Sequence, residues 1–319
     1  MENYKNTCNP KKLVVIGSCN TDMVIKTDHL PRRGETVLGG TFFMNPGGKG
    51  ANQAVAAARL GISVSFVCKT GNDIFGHQSQ QLFEEEGIDT SYVFSDIDNP
   101  SGVALITVDA NAENCIVVAS GANANLLPAD LEKTKNLIDE SDIVLMQLEI
   151  PIETVEYVAG IAAKKNKKVI LNPAPAQHLS KELISNLYLI TPNETEAEML
   201  SGIKITDMES ARNAAMKICS LGVDNVVITL GSKGALVYDK NTFTEVSAFK
   251  VKAIDTTAAG DVFNGSLCAA LLEGQELVNA VRFACKAASI SVTRNGAQDS
   301  APYRNEIGLI PESEALRES

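Results

Sequence analysis

Along most of the chain, short runs of consecutive apolar residues alternate with longer stretches in which apolar positions recur every three or four residues. The first run, "KKLVVIG", ends at Gly17 and reads as a strand buried on both faces. "SVSFVCKTG", "IVLMQLE", "KVILNPAP", "YLITPN" and "NVVITLG" read the same way. Between them, "GGKGANQAVAAARLG", "FGHQSQQLFEEEG", "IETVEYVAGIAAKKN", "ETEAEMLSG" and "MESARNAAMKICSLG" carry helical spacing. Gly61 closes the first of these, where a glycine can take the left-handed conformation. The hairpin-like "GALVYDKNTFTEVSAF" and two Ala-rich helices complete the chain. Strands alternating with helices predict an α/β fold, a mostly parallel sheet covered on both faces.

Two regions break the alternation. Residues 20–45 hold short strand-like pieces and several glycines ("GETVLGGTFF"), and "GVALITVDANAENCIVVASG" holds two extended runs around a polar turn, a β-hairpin pattern. Paired with each other, they would form a small sheet beside the main one. Such a sheet is either a lid that excludes water from a reaction or plain decoration of the sheet edge, and the pattern alone supports both.

Composition narrows the function. The net charge of −11 excludes the basic footprint of a nucleic-acid binder, and anionic substrates would need local donors rather than a global field. Seven scattered cysteines without a C-x-x-C pair point to reduced thiols in a cytoplasm. The polar start "MENYKNTCNPKK" lacks a signal-peptide core, and no apolar run approaches the roughly 18 residues of a membrane span, so no membrane partner is expected. The three histidines, His29, His77 and His178, have no ligand spacing, which argues against zinc and against a His-based triad.

The candidate chemistry lies at loop-to-helix junctions. Neither the P-loop nor the dinucleotide fingerprint occurs: Gly17 leads into "SCNTD", and Gly50 and Ala51 follow Lys49. "DTTAAGDVFNG" instead starts a helix with Ala258, Ala259, Gly260 and Asp261. Unpaired N–H groups of a helix start attract phosphate, and small residues let it approach. Asp261 there is either an ordinary acidic cap or a base that takes a hydroxyl proton while those amides hold the phosphoryl charge. Asn20 and Asp22 follow the first strand, and Gly48, Lys49 and Asn52 mark a second junction; their donors and acceptors suit a polyhydroxy ligand, or merely cap and turn the chain. Glu149 ends a strand at the same level. Asn193, Glu194, Glu196 and Glu198 suit Mg²⁺ or complement a helix dipole. "TLGSKG" offers a turn for a nucleotide or a hairpin entry.

In order and spacing, "GGKGANQA", "MQLE", "NPAPA", "TPNETEAE", "ITLGSKG" and "DTTAAGDVFNG" resemble the ribokinase-like (PfkB) family of sugar and nucleoside kinases, over about Leu13 to Arg304. The resemblance implies one kinase domain over 1–319: a three-layer α/β/α sandwich with a small β-sheet lid inserted at about 18–46 and 100–122, the lid forming a homodimer contact. It implies phosphorylation of D-ribose at O5 by ATP; another small sugar or nucleoside as acceptor, or a non-catalytic sugar-binding regulator, are the alternatives. It makes Asp261 the base and Ala258, Ala259 and Gly260 an anion hole. Asn20, Thr21, Asp22, Gly48, Lys49, Gly50, Ala51, Asn52 and Glu149 would hold the sugar. Asn193, Thr229, Leu230, Gly231, Ser232, Lys233, Gly234, Gly260, Asp261 and Cys285 would hold ATP, Asp261 touching the sugar as well, with Asn193 and Glu196 linked to Mg²⁺. Asp255, Thr257, Ser291, Arg294, Gly296 and Ser300 would hold an activating K⁺. Two positions depart from the family pattern: Ala258 replaces a glycine, and Cys285 replaces a histidine beside adenine.

Overall fold

The computed structural model describes residues 11–111 and 113–308; the N-terminal stretch with Cys8 lies outside them. In chain order the strands are β1 (Lys12–Ile16), β2 (Asn20–Lys26), β3 (Thr41–Gly47), β4 (Ser63–Gly71), β5 (Val93–Asp96), β6 (Gly102–Val108), β7 (Asn114–Ala119), β8 (Ile143–Met146), β9 (Lys168–Leu171), β10 (Leu189–Ile190), β11 (Asn225–Thr229), β12 (Ala235–Asp239) and β13 (Thr242–Val246). The α-helices are α1 (Lys49–Arg59), α2 (Ile74–Glu85), α3 (Pro128–Leu131), α4 (Lys135–Glu140), α5 (Ile152–Lys164), α6 (Lys181–Ser185), α7 (Glu194–Ser201), α8 (Met208–Cys219), α9 (Ala259–Leu272), α10 (Leu277–Ser291) and α11 (Arg304–Ile307).

The main sheet runs β13-β12-β11-β10-β9-β8-β1-β4-β5. Its pairs are parallel from β11 through β5, and the β12–β13 hairpin adds an antiparallel edge. Alternating side chains divide the core into two layers. Leu13 and Val15 of β1, with Ile143 and Leu145 of β8, pack against α1, α9 and α10; Val14, Ile16, Val144 and Met146 pack against α5 and α8. The fold is therefore the expected three-layer sandwich. From β1 the chain adds β4 and β5 on one side and β8 to β11 on the other. At such a reversal the crossover loops part at the carboxyl ends of the strands and leave a crevice.

The two off-pattern regions meet in one four-stranded sheet, β3-β2-β6-β7, with β2 and β6 parallel and each flanked by an antiparallel partner. The structure shortens several predicted strands. β8 stops at Met146 and β9 at Leu171, so Gln147, Glu149 and Asn172 lie just beyond the ladder, in the crevice region. It also adds β5 and the short helices between Gly121 and Glu140, too brief for any period to show in the sequence.

Candidate active site

The start of α9 is built to leave donors unpaired. Ala258 precedes it in the left-handed conformation (φ 57°, ψ 11°), and no side chain caps the helix. The first intrahelical bond runs from the Val262 N–H to the Ala258 carbonyl at 2.8 Å, so the N–H groups of Gly260 and Asp261 precede the ladder. They open on a cavity of about 210 Å³, which Lys49, Asn193, Glu196, Thr229, Ala258, Ala259, Gly260 and Asp261 line. Asn172, Ala174, Thr191, Thr256 and Asn264 complete the wall. The structure thus brings together residues that the sequence places in five separate motifs.

Asp261 is 6% exposed, and each carboxylate oxygen accepts one amide: Oδ2 from Asn52 Nδ2 and Oδ1 from Gln53 Nε2, both at 2.9 Å. Burial raises its pKa above the usual carboxylate range, against the opposing pull of Lys49 and the two amides. Lys49 is subject to the reverse balance. Burial disfavours its charge, yet Asp261, Glu149, Glu196 and Asp22 hold its pKa above the ordinary value. The site therefore holds one ammonium among four carboxylates, an arrangement suited to an anionic ligand only when backbone N–H groups and a metal ion share the charge.

At the other end of the crevice, Asn20 and Asp22 project from one face of β2. Asn20 Oδ1 accepts from Asn123 Nδ2 at 2.8 Å, a residue without any signal in the sequence that ties β2 to the loop after β7. Burial, then Glu149 and Asp261, push the Asp22 pKa up to about 6. Glu149 Oε2 accepts from Ser18 Oγ at 2.6 Å and from the Lys49 N–H at 3.0 Å. Gly48 (φ 89°) is fixed by close approach, since a Cβ there would sit 2.8 Å from the Asn20 nitrogen. Thr21 corrects the sequence expectation. It alternates with Asn20 and Asp22, so its side chain faces away and lines a groove with Met44, Pro46 and Leu82 instead. Gly50 and Ala51 are buried in α1 and bring no polar side chain.

Asn193 caps α7: its Oδ1 accepts the Glu196 N–H at 2.8 Å, and the Glu196 carboxylate accepts the Asn193 N–H and Nδ2, both at 2.9 Å. Burial raises the Glu196 pKa. Both capping-box residues also face the cavity, so the cap and any role toward a ligand coexist. Thr229 pairs with Asn193 across a bridge and leads into the turn Gly231–Lys233, whose residues are exposed. Leu230 differs from its neighbours: 5% exposed, it packs in the core and offers a nucleotide only its backbone. Cys285, 7% exposed, also packs in the core, and burial pushes its thiol up to about 12.

The proposed cation residues converge from two segments. The Asp255 carboxylate accepts the Thr257 N–H at 2.9 Å and the Gly296 N–H at 3.0 Å, and the N–H groups of Ile254 and Asp255 both donate to the Val292 carbonyl. Ser291 and Ser300 are buried, and their hydroxyls donate to carbonyls within their own turns. Arg294 pairs its guanidinium with Glu306. Hydroxyl, carbonyl and carboxylate oxygens are what a hard monovalent ion needs. Among the described residues no group of three or more acidic, His or Cys side chains suits a protein-held metal.

Residues 10–304 match the pfkB family carbohydrate kinase. A ribokinase from Haemophilus influenzae is 48% identical over 93% of this chain and 97% of its own length. A deoxyribokinase from Salmonella typhimurium is 37% identical over 91% of this chain and 95% of its own length. The solved structure of Arabidopsis thaliana ribokinase complexed with ribose and ATP has a TM-score of 0.88 at 32% identity, covering 93% of this chain and 97% of that one.

Proposed function

The chain belongs to the pfkB family of carbohydrate kinases, and we propose that within it the acceptor is D-ribose, phosphorylated at O5 by ATP to give D-ribose 5-phosphate and ADP. One observation carries the chemistry: a buried carboxylate, held by two amides, lies at a helix start whose N–H groups are left open. The acceptor assignment is supported by the 48% identity to a ribokinase and by the likeness to a structure that holds ribose and ATP.

In this reading Asn20, Asp22, Gly48, Lys49, Asn52 and Glu149 hold the sugar, each hydroxyl finding both donor and acceptor. Asp261 accepts the proton of the 5-hydroxyl as its oxygen attacks the γ-phosphorus in line with the leaving ADP oxygen. The N–H groups of the α9 first turn, with Ala258 shaping the approach, meet the charge on the transferring group. Positioning and fixed dipoles supply most of the acceleration. Thr229, the backbone of Leu230 and the turn from Gly231 to Gly234 face the nucleotide. Mg²⁺, placed near Asn193 and Glu196, would neutralise phosphate oxygens, and K⁺ on the Asp255 and Gly296 loops would fix the backbone leading into α9.

The small sheet serves as lid and as the contact of a homodimer. Support comes from one of its faces, where Ile25, Phe42, Met44, Leu105 and Val117 are 45–62% exposed and adjacent by strand register.

The test is ADP release with MgATP over ribose, 2-deoxyribose, fructose and adenosine, in potassium and in sodium. Ribose-dependent turnover that is higher in potassium is expected. A preference for 2-deoxyribose, the acceptor named by the Salmonella relative, would keep the mechanism and replace the substrate. Tight ribose binding without turnover would favour a sugar-binding regulator.

A further inference from the structure

Asp261 does not stand alone behind the cavity. Its Oδ1 partner, Gln53 of α1, is 0% exposed, and Gln53 Nε2 also donates to Asn172 Oδ1 at 3.1 Å. Gln53 Oε1 in turn accepts from Gln147 Nε2 at 2.6 Å, and Gln147 is likewise 0% exposed. The chain of amides has a direction. Because an ionised Asp261 can only accept, the Gln53 amide must turn its NH₂ toward Asp261 and Asn172, which leaves its Oε1 to accept from Gln147. Flipped, Gln53 would set a carbonyl oxygen against the carboxylate.

This direction is kept at a cost. Gln147 Oε1 is buried without a partner, and a Cβ at Gly17 would collide with it. A buried acceptor left unsatisfied calls for a reason. Turning the Gln147 amide over would set its oxygen against Gln53 Oε1 and release the NH₂ of Gln53 from its orientation.

We propose that Gln53, oriented by Gln147 and Asn172, is a positioning residue for the reaction: it fixes the Asp261 carboxylate and keeps it ionised for the acceptor hydroxyl. Two donors, one per oxygen, leave each oxygen a lone pair for the substrate and stabilise the charged form inside the protein. The other charged groups facing Asp261 are Lys49 from α1, Glu149 after β8, Asp22 from β2 and Glu196 from α7. Four carboxylates share a single ammonium there, so burial would protonate the base unless neutral donors were added. Gln53 adds one without adding charge. The role in catalysis rests on the kinase reading above; the control of the carboxyl does not.

The experiment therefore has two independent readouts. The Asp261 carboxyl is titrated by ¹³C NMR in the ligand-free protein, its signal assigned by its loss in Asp261→Asn, and kcat and KM are followed against pH. Gln53→Met, close in shape and without donor or acceptor, is expected to raise the carboxyl pKa by about one to two units. The acidic limb of kcat/KM should move with it, and kcat at neutral pH should fall about tenfold or more while the acceptor KM changes less than threefold. Gln53→Glu, nearly identical in shape, should move the limb further because it faces Asp261 with a like charge. Gln147→Met, acting one hydrogen bond away, should give the same shift in smaller measure, and it decides the matter if Gln53→Met does not fold. A carboxyl pKa and pH limb unmoved in folded variants would overturn the proposal. A shifted carboxyl in a protein that turns over no acceptor would uphold the positioning and refute the kinase reading.

Discussion

The two sheets draw on the same apolar alphabet and end in opposite surroundings. β1 and β8 of the large sheet are buried along nearly their whole length, between helices on both faces. β7 of the small sheet is exposed at every residue. The site lies between them, and its acids reflect the difference. Asp261 comes from the buried frame and is held by two amides. Asp22 comes from the small sheet, and among the described residues no donor meets its carboxylate. The frame fixes the groups that do chemistry in advance, whereas the small sheet supplies groups that ligand or partner must complete.

If that contrast holds, the largest effect comes from the frame. Asp261→Asn should lower kcat by about 10²- to 10⁴-fold with little change in either KM, and circular dichroism should show a folded protein. An active, ribose-saturable variant would remove Asp261 from the role of base. Next is Arg59, 9% exposed at its side chain, which pairs with Glu86 and donates to the Gln298 and Ala301 carbonyls. It ties α1 and α2 to the last loop, at Gln298 and Ala301. Arg59→Ala should cost about 1–3 kcal/mol in urea unfolding because it leaves the half-buried Glu86 carboxylate and two carbonyls without their donor.

The small sheet should respond in binding rather than in chemistry. Asp22→Asn should raise the ribose KM by about 10- to 100-fold, the loss of a charged hydrogen bond, with a smaller change in kcat. Its pH behaviour has a definite sign. The folded pKa of about 6 lies above the ordinary 3.8, so the fold prefers the neutral acid. Ionising Asp22 therefore costs the ligand-free protein stability as pH rises from about 4 to 6. The variant should be more heat-stable than the parent at pH 7, and the inflection of ribose affinity near pH 6 should vanish. Leu105→Lys, a charge placed on the exposed face, should convert a dimer into a monomer by light scattering; a monomeric parent would sink the dimer contact instead. The smallest effect is expected at Ala258→Gly. Relief of a left-handed alanine offsets the added freedom of the unfolded chain, leaving a gain of about 0.5 kcal/mol in thermal unfolding.

How much of this was legible in the sequence follows the same division. Period and run length exposed the sandwich, because β1, β4 and β8 are buried on both faces and their helices are amphipathic. Asp261, Lys49, Asn193 and Glu196 stood out because charge or a cap beside small residues is unusual enough to notice. Thr21 was assigned to the site as part of a motif, and the period of two turned it away. Of the amides behind Asp261, Asn52 was picked out with its motif, and the two glutamines stayed hidden. Gln53 and Gln147 carry no charge, sit among apolar neighbours and act on partners 208 and 94 positions away in the chain. A glutamine inside the buried run Ala51–Ala57 was the one available signal.

The most direct test of the central claim is the position of the new phosphate. Wild-type protein is incubated with ribose and MgATP, and the product is read by ³¹P–¹H correlation NMR. Phosphorus coupled to the two methylene protons of C5 is the predicted result. Phosphorus coupled to the single anomeric proton, or ATP consumed without any ribose phosphate, would contradict the account.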